Sequence, residues 1–129
     1  MTYLSHADLG GQPGHGRVVP EAVGELFHAT WEPRALALTL AMGASGAWNI
    51  DMSRAARETL PDYAQLSYYE IWTHALEKLL LERGLLQPGE LESGATIAGP
   101  WPKLPRTLQA ADVATVLARG APTARPGPA

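Results

Sequence analysis

The 129-residue chain has no cysteine, a single phenylalanine, four histidines and no run of basic residues. Without cysteine it can form no disulfide, no thiolate metal site and no thiol nucleophile. His6, His15, His28 and His74 are too dispersed for a metal-ligand pattern. A net charge of −3 with scattered Lys and Arg argues against nucleic acid as a partner, because phosphate contacts need clustered cations. The longest apolar stretch, around Ala35 to Ala44, is about half of the ~20 residues a membrane span needs. The opening MTYLSHADLGG has neither the basic nor the apolar region of a secretory signal. The expectation is a soluble, cytoplasmic protein with no membrane segment.

What the chain does have is glycine and proline, 13 and 11 residues, gathered near 10–16, 84–105 and 120–128. These stretches resist regular structure, so the 46% of apolar residues must build one modest core between them. The division this predicts is an extended arm over 1–29 that lies on a partner, a helical domain over 30–84, a linker and last helix over 85–120, and a disordered tail over 121–129. Gly10, Gly11, Gly14 and Gly16 neither follow a strand nor open a helix, which excludes a phosphate-binding loop.

Helical signals dominate the rest and predict an all-α fold, a small bundle of about four helices near 31–43, 50–60, 63–83 and 108–119. Thr30 is placed to cap the first, Pro33 suits its first turn, and Gly43 and Gly46 end it. That helix is apolar nearly all round, so it is expected at the centre. Asn49 caps the second, which must stop near Leu60 because Pro61 disfavours helix at the residue before it. Asp62 or Ser67 starts the third, where Tyr68, Trp72, Ala75 and Leu79 form a stripe widened by Ile71, Leu76 and Leu80, up to a stop at Gly84. Gly120 ends the last helix.

Arg54 and Arg57 fall three apart on the second helix, one face with two cations. Two meanings stay open: a solvated face paired with Asp51 and Glu58, or a site that wants an anion between the guanidinium groups. Tyr68, Tyr69 and Trp72 are equally readable as a packing cluster or as part of a site. Glu70 and His74, four apart, are read as a helix-surface pair.

The run WEPRALALTLAMGASGAWNIDMSRAARETLP, continuing into YAQLSYYEIWTHALEKLLLERG, resembles the amino-terminal half of nitrile hydratase β subunits. HADLGG followed by GHG is similar to that family's opening arm, with Ala7 as an extra residue between His6 and Asp8. The resemblance implies a β-type subunit, inactive alone, for metal-assisted hydration of a small nitrile to an amide (a hydro-lyase). It implies no cofactor or metal on this chain. Co(III) or Fe(III) is expected in a partner α-like subunit, held by cysteines of which two are oxidised to sulfenic and sulfinic acids. Arg54 matches a family arginine that hydrogen-bonds those oxygens, with Arg57 as its neighbour. Tyr68 matches the family's active-site tyrosine, while Tyr69 and Trp72 pack beside it. Thr39, Trp48, Ile50 and Ser53 fall near positions that line the substrate pocket. Family β subunits continue into a barrel, and this chain stops where the barrel would begin. That implies a split β chain with a separate barrel-type partner, as in three-subunit toyocamycin nitrile hydratase and thiocyanate hydrolase, or a piece of a longer chain. A thiocyanate hydrolase-like subunit and an activator or metallochaperone of nitrile hydratase are the alternatives.

Overall fold

The computed structural model describes residues 5–9, 12–97, 99 and 101–120. Among them the chain is all-α, with α1 over Glu32–Ala44, α2 over Ile50–Glu58, α3 over Tyr68–Glu82, α4 over Glu90–Ser93 and α5 over Val113–Arg119. Short 3-10 turns at Tyr63–Gln65 and Ala110–Asp112 precede α3 and α5. The expected disordered tail at 121–129 lies outside the described residues, as do residues 1–4 of the arm.

Local chemistry explains most boundaries. Asn49, in extended backbone, accepts the Met52 N–H on its side-chain oxygen at 2.9 Å and so opens α2. Helix α2 closes at Glu58, two residues earlier than expected, because Thr59 turns its hydroxyl back onto the Ala55 carbonyl before Pro61 is reached. Ser67 and Glu70 form a capping box at the start of α3, the Ser67 N–H donating to Glu70 Oε2 at 3.0 Å. Residues 63–66 are therefore not part of that helix, contrary to the expected start at 63. Glu70 is occupied by the cap, which replaces the expected pair with His74. At the far end Gly84, at φ +67°, donates to Leu81 while Leu85 donates to Leu80, which is a Schellman stop.

The first helix departs from expectation at both ends and in its place. Trp31, not Thr30, stands at its cap, and its backbone is already helical, so no extended residue is available for side-chain capping. No side chain caps the helix; Glu32 in its first turn instead accepts the His28 N–H of the arm at 2.9 Å and lies near the imidazole, which also meets Glu21 at 2.8 Å. Gly43 stays inside the helix. Nor is α1 central: it buries only Glu32 and Ala35, and Leu38 is 50% exposed. The core lies between α2 and α3, where Trp48, Ala56, Leu60, Ala75, Leu76 and Leu79 are buried together. One face of α1 packs on α3, and its Met42 reaches the core, while Leu38 is left exposed. Tyr68 leaves the predicted stripe and is exposed, while Ala75, Leu76 and Leu79 keep to it.

The described part of the arm has no helix or strand. Its ends are tied down: His6 and Ala7 donate to the last carbonyl of α2, Glu58, at 2.7 and 3.2 Å, while Phe27 rests on the Tyr69 ring with centroids 5.5 Å apart and His28 donates to Glu32. Between these, Val18, Val19, Val23 and Leu26 lie exposed. The linker is more ordered than its composition suggests. Glu90 accepts the Gln87 and Ile97 N–H groups on its two carboxylate oxygens at 2.8 and 2.7 Å, which holds the single turn of α4.

Candidate functional site

A cavity of about 260 Å³ opens between α1, α2, α3 and α5. Its walls bring together six residues singled out from the sequence: Thr39 from α1, Trp48 from the α1–α2 turn, Ile50, Ser53 and Arg57 from α2, and Trp72 from α3. Asn49 sits here because capping α2 fixes the turn, and this places Ile50, Ser53 and Arg57 on one side of the helix at spacings of three and four. Leu40, Gly43 and Ala44 complete the α1 wall. Val116 and Leu117 of α5, with Gly120 after it, form a wall that the sequence reading missed. The amphipathic pattern of residues 108–119 signalled a helix, but no short-range feature says where it docks.

The lining is mostly apolar with a few polar groups. Thr39 donates its hydroxyl to the Ala35 carbonyl at 2.9 Å. Among the described lining residues Arg57 is the one with a formal charge. Its Nε donates to the Ser53 carbonyl at 3.3 Å and its guanidinium lies 4.8 Å from the Trp72 ring centroid, a cation–π stack. Partial burial pushes the Arg57 pKa below the ordinary arginine value and the Arg54 charge adds to this, while Tyr68, Glu58 and Tyr63 oppose it. The group remains a cation at any working pH.

Arg54, Tyr68 and Tyr69 are not wall residues. Arg54 is exposed on α2, next in sequence to the wall residue Ser53. Tyr68 is 63% exposed and leans on Trp72 at 5.6 Å and edge-on to Tyr69 at 5.0 Å, so it borders the cavity through the Trp72 ring. Tyr69 contacts Trp72 at 5.7 Å and Phe27 of the arm; desolvation, with Tyr68 and Glu32 nearby, raises its phenol above the ordinary value. Among the described residues no three His, Cys, Asp or Glu side chains converge to hold a metal ion, and no helix is long and apolar enough to cross a membrane.

Fold and site together define an all-α module that presents an open, largely apolar cavity beside an exposed arginine and tyrosine. Residues 4–115 match the family described as nitrile hydratase beta subunit, N-terminal, and the chain belongs to that family. It is 40% identical over 87 residues to the β subunit of a low-molecular weight cobalt-containing nitrile hydratase of Rhodococcus rhodochrous, an alignment covering 66% of this chain and 38% of that one. It is 34% identical over 94 residues to a nitrile hydratase β subunit of Pseudomonas putida, covering 71% and 43% of the two chains. A third β subunit, from Rhodococcus erythropolis, is 37% identical over 101 residues, covering 74% and 47%. The matched region thus spans less than half the length of each of these relatives.

Proposed function

We propose that this chain is the β-type subunit half that forms one side of a nitrile hydratase active-site cleft, converting a small nitrile to its amide together with an α-like partner. The observation that carries the reading is the convergence of Thr39, Trp48, Ile50, Ser53, Arg57 and Trp72 on one cavity in a chain of this family. A nitrile is an apolar body with one polar end. The indoles of Trp48 and Trp72 and the Ile50 side chain suit the organic group and exclude water from it.

The described residues hold no donor set for a metal, and the chain has no cysteine. In this reading, as the family resemblance implies, a Co(III) or Fe(III) ion would be held by the α-like partner and would supply Lewis acidity toward the nitrile or bound water. This chain supplies positioning. Exposed Arg54 offers a planar fork of donors that stays charged, suited to the oxygens of oxidised partner cysteines. The exposed Tyr68, stacked against Trp72, offers a hydroxyl to the same face. Arg57 is spent on Trp72 and Ser53 and holds the wall in place. Assembly with a separate barrel-type chain, or continuation into one, and a cytoplasmic location belong to the same reading. The mostly apolar lining favours an organic nitrile over thiocyanate, a small anion that gains nothing from such walls.

The test is co-expression with a cysteine-rich α-like subunit and a barrel-type chain, followed by purification through a tag on this chain. Co-purification with nitrile-hydrating activity is expected. A complex that hydrolyses thiocyanate and leaves nitriles untouched, or a chain that transfers metal and then dissociates, would replace the reading with one of the alternatives.

A further inference from the structure

The cavity walls are not held alike. Trp48 is a core residue, and Arg57 stacks on Trp72, which ties the α2 wall to the α3 wall. On α1 the wall includes Gly43 and Ala44, which carry little bulk. The α5 wall is different. That helix packs chiefly on the 3-10 turn just before it, contributes nothing to the buried core, and leaves Leu117 46% exposed although it lines the cavity.

What ties the segment leading to α5 to the rest of the fold is Arg106. Its Nε donates to the Ala44 carbonyl at 2.7 Å and its backbone N–H to the Ser45 carbonyl at 3.2 Å. The guanidinium so satisfies the C-terminal end of α1 and complements its dipole. Pro105 closes over Gly46 so tightly that a Cβ there would lie 3.3 Å from the proline ring. This clasp fastens the α5 segment to the helix that carries Gly43 and Ala44.

We infer that Val116 and Leu117 are the size-determining residues of the cavity, and that Arg106 is a positioning residue that holds them over it. The identity of the ligand as a nitrile rests on the function proposed above; the role of the wall does not. A pocket discriminates about 10- to 200-fold per methylene group, so trimming either side chain has a readable consequence.

The experiment measures kcat/KM for acetonitrile and 1-cyanonaphthalene with the assembled enzyme carrying wild-type, Val116→Ala, Leu117→Ala, Arg106→Ala or Arg106→Lys chains. Either wall substitution is expected to raise the naphthyl-to-methyl preference about tenfold, chiefly through KM. Arg106→Ala should shift the preference the same way, and Arg106→Lys, still a donor to Ala44, should restore most of the wild-type ratio. A ratio within twofold of wild type for both wall variants overturns the inference. If the wild-type complex hydrates no nitrile, the function proposal fails, and the wall is then judged by binding of 1-cyanonaphthalene to the full chain, read by tryptophan fluorescence. Val116→Phe should weaken that binding fivefold or more, and unchanged affinity, or no binding by the wild type, overturns it. Circular dichroism accompanies each variant; loss of fold on changing Val116 or Leu117 would contradict a wall outside the core and also count against it.

Discussion

Arg54 and Arg57 share a helix and a charge, yet their surroundings give them different work. Arg57 is half-buried against Trp72, whereas Arg54 is exposed on the surface of α2. Under the proposed function, Arg54→Lys keeps the charge and loses the fork, and turnover of the assembled enzyme is expected to fall by about tenfold or more, since one charge-assisted hydrogen bond is worth ~1.5–3 kcal/mol. Far-UV circular dichroism should not change. Wild-type turnover in that variant would return Arg54 to the role of a solvated cation. For Arg57 the contact is internal and so is the test. A double-mutant cycle with Arg57→Leu and Trp72→Leu, followed by urea unfolding, should show a coupling of ~0.5–1 kcal/mol, and a coupling of zero would mean that the stack has no energetic content.

Helix ends are where short sequence signals meet their physical function. Asn49 and the Ser67–Glu70 box both satisfy first-turn N–H groups, and Asn49→Ala and Ser67→Ala are each expected to destabilise the chain by about 1 kcal/mol in denaturant titrations. Thr30→Ala makes the contrasting case, because Trp31 occupies the cap position of α1; its effect should stay within ~0.5 kcal/mol. A Thr30→Ala loss equal to that of Asn49→Ala would show that Thr30 does cap α1. In α3 the stripe from Ala75 to Leu79 is buried where it meets α2, and Leu79→Ala should cost ~2–5 kcal/mol by the same measurement.

Across the described molecule, exposed apolar side chains include Leu38 on the outer face of α1 and Val18, Val19, Val23 and Leu26 on the arm. The arm is fastened at His6–Ala7 and at Phe27 and spans the gap between them without packing of its own. Under the proposed assembly this surface meets the α-like subunit. Limited proteolysis should then cut the free chain within residues 12–26 and spare that segment in the complex. Equal cleavage in both states would exclude the arm from the interface.

Sequence alone determined what depends on neighbours a few residues away: the all-α class, the Asn49 cap, the stops at Gly84 and Gly120, and the core stripe of α3. These follow from hydrogen bonds and spacings within one or two helical turns. Likeness to a family singled out Thr39, Trp48, Ile50 and Ser53 as pocket positions, with Arg57 as a neighbour and Trp72 as a packing ring; that these six share one cavity is a tertiary fact. Tertiary structure alone decided the rest. Trp31 rather than Thr30 stands at the start of α1, and Glu32 just after it receives the His28 N–H that a turn of the arm delivers. The single core is too small to enclose α1, which therefore lies at its edge. Arg106 meets Ala44 from 62 residues away, and by that contact an otherwise ordinary amphipathic helix becomes a wall of the cavity. Such pairings have no local period or cap to announce them, because their partners become neighbours only when the chain has folded.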